Sequence, residues 1–214
     1  MKETNQLFLF DRNMEKEKNI SCIAGFDEAG RGPLAGPVST CGVVLPKDYE
    51  NDKINDSKKL TDKERRELAL EIKAHALCYH IELVDVKTID EINILEADRK
   101  GMEICLKEIL KQVPVDFIIT DYMKLHTDIP LLSIPKGDGT SQSVAAASIL
   151  AKVARDDYMI QLDAKYPEYG FKKNKGYGTK AHIEAIKKYG FKKGVHRLTF
   201  DPIRSMIEEQ LTLF

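Results

Sequence analysis

The sequence predicts an α/β protein: a sheet partly antiparallel and partly parallel, helices on its faces, and a small C-terminal helical subdomain. Three observations carry this prediction. Short apolar runs rich in β-branched residues alternate with turn signals in the first two thirds of the chain. Threonine capping boxes mark helices between those runs. The last third carries only helical spacing.

The elements follow in order. Residues 1–18 are polar apart from Gln6-Leu-Phe-Leu-Phe10 and read as a loosely held arm. Residues 20–27 read as a strand ending at two carboxylates. Residues 38–45 form a second strand after a Gly/Pro-rich turn. Thr61-Asp-Lys-Glu64 is a capping box that opens a helix to about residue 76, and residues 77–86 form a third strand. Thr88-Ile-Asp-Glu91 reads as a second capping box, opening a helix to about residue 112. Residues 115–120 are a fully apolar run that suggests a central strand, with Asp121 at its end. Residues 131–135 give one more short strand. A long helix runs from Ser143 to about residue 165. A basic helix over 179–189 is stopped by Gly190, and helical spacing returns over 202–209. The chain thus divides into an arm (1–18), a catalytic domain with its C-terminal helical part (19–203) and a tail (204–214).

With 43% hydrophobic and 31% charged residues among 214, the chain can bury a substantial core. No apolar run approaches the roughly 18 residues of a membrane span, and the N-terminus lacks a signal-peptide layout. A cytoplasmic protein is expected. Cys22, Cys41, Cys78 and Cys105 form no CxxC pair and lack histidines at zinc-ligand spacing; three lie in apolar stretches and read as buried free thiols. The net charge of −1 points nowhere, but its distribution does. From Lys165 to Arg197 ten Lys/Arg face only Glu168 and Glu184, a local charge of +8. Such a region suits a polyanion, and equally a solvated helix surface.

Four acids occupy special places: Asp27 and Glu28 end the first strand, Asp121 ends the apolar strand, and Asp138 lies in Lys136-Gly-Asp-Gly139 before the long helix. Strand ends are where α/β sheets place their sites. An acid closing an apolar strand is costly unless solvated, paired or metal-bound. Clustered carboxylates repel, and a hard divalent cation relieves the repulsion. The chemistry that matches is two-metal phosphodiester hydrolysis, with ions roughly 3.5–4 Å apart. Taken singly, each acid reads as a cap or surface charge, and Asp138 as a turn residue. No base stands near Ser57 or Ser148 in the sequence, so no serine nucleophile is indicated.

Gly25-Phe-Asp-Glu-Ala-Gly-Arg-Gly-Pro-Leu-Ala-Gly-Pro37 resembles the first motif of the bacterial ribonuclease HII family. Further segments resemble that family in order. They are Asn55-Asp-Ser-Lys-Lys-Leu60, Lys136-Gly-Asp138, and the helix from Ser143 through Ala-Ala-Ala-Ser to Arg155-Asp156. Tyr166-Pro-Glu-Tyr-Gly-Phe171, Asn174-Lys-Gly-Tyr-Gly-Thr179 and His196-Arg197 complete the series. The resemblance covers about residues 20–203, and Gly30-Arg31-Gly32 separates the chain from ribonuclease HIII.

The resemblance implies a ribonuclease H-like fold, a mixed five-stranded sheet flanked by helices. It implies Asp27, Glu28, Asp121 and Asp138 as catalytic metal ligands for Mg²⁺ or Mn²⁺. It implies an endonuclease for the RNA strand of RNA–DNA hybrids. Such an enzyme also cuts 5′ to single ribonucleotides in duplex DNA, leaving 3′-hydroxyl and 5′-phosphate ends. Gly30, Arg31, Gly32 and Tyr177 become readers of the 2′-hydroxyl, the group that separates RNA from DNA. Without the resemblance these residues read as a tight turn and a packed aromatic. Lys58, Lys59, Lys175, Lys180, His196 and Arg197 are candidate phosphate contacts, which position a duplex without reading its sequence. Arg155 and Asp156 read as an intramolecular helix pair. One departure stands out: Tyr122 follows Asp121 where the family usually has glycine.

The chain ends Gln210-Leu-Thr-Leu-Phe214, which resembles a peptide that docks on the bacterial sliding clamp. Gln6-Leu-Phe-Leu-Phe10 shares the pattern and is left unassigned. A monomer is expected. Two other readings compete. A junction-resolving DNA nuclease would share the carboxylates without the ribose-reading segments. A silent hybrid-binding or clamp-associated protein would lack a carboxylate.

Overall fold

The computed structural model describes residues 5–211, with side chains to residue 209. Five strands form one sheet: β1 (Ile23–Ala29), β2 (Val38–Val44), β3 (Cys78–Val84), β4 (Phe117–Asp121) and β5 (Leu131–Ile134). Their order is β3-β2-β1-β4-β5. β1 runs antiparallel to β2, and β2 to β3. β4 is parallel to both β1 and β5. The apolar run ending at Asp121 is thus an interior strand, as its composition predicts.

The helices are α1 (Gln6–Lys18), α2 (Asp62–His75), α3 (Val86–Ile92), α4 (Ile94–Leu110), α5 (Gln142–Lys165), α6 (Phe171–Asn174), α7 (Lys180–Tyr189) and α8 (Ile203–Leu211). Helix α5 covers one face, where Val43, Ile72, Ala145, Ile149 and Leu150 pack together. It lies so close to β1 that a Cβ on Gly25 would stand 2.3 Å from the Ser143 carbonyl carbon. Helix α4 covers the other face, with Ala24, Phe26, Met102, Cys105 and Ile109 in one cluster. Alternation along β1 therefore turns Asp27 toward α5 and Glu28 toward α4. A separate cluster gathers Leu34, Met159, Tyr169, Phe171, Ile186 and Ile203, drawing the C-terminal helices onto the end of α5. All four cysteines are free, and Cys41, Cys78 and Cys105 are buried.

Two expectations are corrected. Residues 6–18 are not a loose arm: they form α1, capped by Asn5, with Leu7, Asp11 and Glu15 buried. The Asp11 carboxylate accepts from the backbone N and Oγ of Ser143, at 2.9 and 2.8 Å. That bond locks α1 to the start of α5, and burial raises the Asp11 pKa. Leu7 and Phe10, part of the N-terminal peptide pattern, pack on the domain itself.

The second correction concerns Thr88. Asp85, not Thr88, caps the helix that follows β3, its side chain accepting from Thr88 N. The chain breaks at Asn93 (φ 67°), which then caps α4 with its own side chain. A capping box and an asparagine inside one apolar stretch look alike in sequence; tertiary packing chose the latter. By contrast, the capping box at Thr61 and Glu64 forms as expected.

Candidate active site

The parallel pairing of β1 and β4 sets Phe26 opposite Thr120. The next residue on each strand is a carboxylate, so Asp27 and Asp121 emerge side by side. Asp138 arrives from a 3-10 turn, Gly137–Gly139, just before α5. That turn is tied to β4, because Gly137 N donates to Asp121 Oδ1 at 3.0 Å. Asp27, Asp121 and Asp138 each offer an oxygen, and these atoms lie within 4.8 Å of one another.

Their surroundings offset the cost of charging them only in part. Burial, and then the charge of Glu28, push the Asp27 carboxyl well above the ordinary range, while a hydrogen bond from Ser148 pulls the other way. Burial raises Asp138 against the opposing pull of Lys58, whose Nζ is 3.4 Å from Asp138 Oδ2. Ser148 Oγ also meets Ser57 Oγ at 2.9 Å, so Ser148 is engaged by both Asp27 and Ser57. Buried, mutually repelling oxygens are a donor set for a hard divalent cation.

Glu28 lies on the other face of β1. Burial, then the charge of Asp98, push it up to about 8. Its Oε2 is buried without a hydrogen-bond partner. Asp98, on α4, is fully buried; burial pushes it up to about 7, and neither of its oxygens has a hydrogen-bond partner. Arg31 lies between them, 3.8 Å from Glu28 and 3.6 Å from Asp98. Sequence reasoning missed Asp98. A signal existed: Asp98, Gly101, Met102 and Cys105 share one buried face of α4, where an acid is out of place.

Three segments knit together beside the carboxylates. Leu34 N donates to Gly176 O, Gly36 N to Val195 O, and Arg197 N to Leu34 O. Two fully buried arginines fasten them. Arg155 donates to the carbonyls of Pro37, Ala35 and Lys175. Arg197 donates to those of Gly36, Arg31 and Gly30 at 3.0, 2.8 and 2.7 Å. Gly30 has φ 95°, and a Cβ there would stand 1.9 Å from Arg155 Nε, so only glycine fits. The half-exposed Tyr177 ring borders Gly32, its Cε1 3.9 Å from where a Cβ would stand.

Several expected contacts are thereby corrected. His196 and Arg197 are fully buried and offer nothing to a phosphate; one bonds His182 and the other clamps carbonyls. Arg155 does not pair with Asp156, whose partner is Lys152 at 2.7 Å. Adjacent residues on a helix point about 100° apart, so each found a different neighbour. Lys58, Lys59 and Lys180 are exposed, whereas Lys175 is half-buried and donates from Nζ to Lys172 O. Tyr122 is exposed with φ 56°, so the tyrosine takes the left-handed conformation that glycine would adopt.

Comparison with known proteins agrees with this architecture. Residues 24–202 match the family model described as Ribonuclease HII. A ribonuclease HII of Bacillus mycoides is 47% identical over 197 residues, covering 92% of this chain and 76% of that protein. The crystal structure of ribonuclease H2 from Pyrococcus horikoshii superposes with a TM-score of 0.72 at 26% identity, covering 88% of this chain and 98% of that one. The ribonuclease HII of Archaeoglobus fulgidus, solved as a complex with PCNA, gives 0.68 at 26% identity, covering 84% and 96%. With a mixed five-stranded sheet, acids at adjacent strand ends and a family match across most of its length, the chain belongs to the ribonuclease HII family of RNase H endonucleases.

Proposed function

We propose that the chain hydrolyses the RNA strand of RNA–DNA hybrids. We propose also that it cuts 5′ to single ribonucleotides embedded in duplex DNA, leaving a 3′-hydroxyl and a 5′-phosphate. One observation carries the reading: the three convergent carboxylates and the Tyr177–Gly32 contact are joined through one short segment, residues 27–32. Phosphate chemistry and ribose recognition thus share a scaffold.

Asp27, Asp121 and Asp138 would hold Mg²⁺ or Mn²⁺, and Glu28, whose charge reaches Asp121 from the other face of β1, would complete the set that the family resemblance implies. Two such ions, when bound, lower the pKa of an attacking water and stabilise the leaving 3′ oxygen. The chain's own groups orient the ligands: Ser148 on Asp27, Gly137 N on Asp121, Lys58 on Asp138. Gly30, Arg31 and Gly32 present backbone to the sugar. Tyr177 offers a ring face to stack on and a hydroxyl to bond the 2′-hydroxyl. Exposed Lys58, Lys59 and Lys180, with Lys175 beside them in the chain's basic stretch, suit phosphate contacts.

This activity fits ribonucleotide removal during replication and repair, by a cytoplasmic monomer. The side chains of Gln210 through Phe214 lie outside the described residues. Docking of that peptide on a sliding clamp is supported by its sequence and by the PCNA complex of the archaeal relative. Loss of clamp capture by residues 1–209 would accord with it; unchanged capture would remove it.

The test is Mg²⁺-dependent cleavage of duplex DNA carrying one ribonucleotide, beside an all-DNA control. Cutting only the former, on the 5′ side, is expected, and Tyr177→Phe or Tyr177→Ala weakens it. Similar cutting of the control would favour a DNA nuclease. Unchanged cutting by both Tyr177 variants would remove Tyr177 as reader.

A further inference from the structure

Two histidines that the site leaves unused are buried behind Tyr177. His182 lies on α7 and His196 in the loop between α7 and α8; both are fully buried. Their Nε2 atoms are 3.2 Å apart. The other nitrogens fix the protons. Lys192 N–H donates to His196 Nδ1 at 2.9 Å, so that nitrogen carries a lone pair. A neutral His196 must then hold its proton on Nε2 and donate it to His182. His182 Nε2 accepts, so its proton stands on Nδ1, which meets the carbonyl of Tyr177 at 2.9 Å. Every atom of both rings capable of hydrogen bonding is thereby satisfied in a single direction. Protonating either ring would put two N–H groups face to face, and burial lowers both pKa values. Phe171 and Tyr169 close the pair in with edge contacts at 5.3 and 4.8 Å.

We propose that His182 and His196 are positioning residues for Tyr177, a one-way hydrogen-bond line from the Lys192 backbone that holds the tyrosine ring beside Gly32. This rests on Tyr177 as the ribose reader. The line also reaches the other half of that reader. His196 pairs by its backbone with Ala35, and its neighbour Arg197 grips the Gly30 and Arg31 carbonyls. Residues 196 and 197 thus register the ring against the glycine segment from both sides.

Two measurements test this. Two-bond ¹H–¹⁵N spectra of the wild-type protein at pH 7 should give the Nδ1–H tautomer for His182 and the Nε2–H tautomer for His196. Any other assignment overturns the proposal without requiring a variant. The second is cleavage of duplex DNA with one ribonucleotide. In His182→Asn the amide stands near Nδ1 and keeps the bond to Tyr177. In His182→Gln it stands near Nε2 and loses that bond. His182→Gln should lower kcat/KM by about tenfold, the effect of one positioned hydrogen bond, and His182→Asn by less than about threefold. In a Tyr177→Ala background His182→Gln should cost nothing more. A wild-type rate in His182→Gln beside a defective Tyr177→Ala overturns the proposal alone, as does an additive double variant. A wild-type rate in Tyr177→Ala refutes the reader itself, and the proposal with it.

Discussion

Arg197→Met separates a structural clamp from a phosphate contact. The guanidinium is fully buried and donates to the carbonyls of Gly30, Arg31 and Gly36. Methionine fills much of the volume and offers no donor. Each abandoned acceptor costs about 1–3 kcal/mol, partly offset by the relief of burying a charge, so a loss of about 3–5 kcal/mol is expected. Much of the stability of a domain lies within that range, yet a folded fraction remains. Urea denaturation measures the loss. Binding to a ribonucleotide-containing duplex, measured across salt concentrations, supplies the contrast. Removing a phosphate contact lowers the salt slope by about one, whereas removing a clamp leaves the slope and lowers stability. The exposed Lys180→Met should do the reverse. A stable Arg197→Met protein with a reduced slope would refute the clamp.

Four further outcomes are expected. Mg²⁺ at ten times its Kd should stabilise the fold by about 1.4 kcal/mol, raising Tm by about 3–5 °C, because it relieves repulsion among Asp27, Asp121 and Asp138. Asp27→Asn should be folded, inactive and insensitive to Mg²⁺ in the same melt; a wild-type shift would exclude Asp27 as a ligand. Tyr122→Gly should gain about 0.5–1 kcal/mol in denaturation, since φ 56° strains any side chain, and a loss would mean that the ring makes compensating contacts. His196 is held at about 4 in the fold against an ordinary 6.5, so the unfolded chain binds the extra proton. Its contribution is complete above pH 6.5 and is lost as pH falls toward 4, by about 3 kcal/mol. His196→Gln should flatten that part of the stability–pH curve.

Much of the site was legible in the sequence because its parts are local. An apolar run that stops at an acid reads as a strand end, and this placed Asp27 and Asp121 correctly. The Thr61 capping box is contained within four residues, and it formed as expected. The ordered motifs from Gly25 to Arg197 marked the family for the same reason: each is a short string.

What only the tertiary structure decided involves partners far apart in the chain. Basic residues near a glycine motif look alike in sequence whether they face solvent or carbonyls. Packing buried His196 and Arg197 and left Lys58 and Lys180 outside. Asp11, read as part of a loose arm, became buried because Ser143, 132 residues away, supplies two donors. Asp98 entered the site because α4 crosses behind Glu28 and Arg31. Burial and long-range hydrogen bonding set these roles. The sequence by itself determined which groups could ionise, turn or cap; the fold determined which of them lost water, and to whom they turned instead.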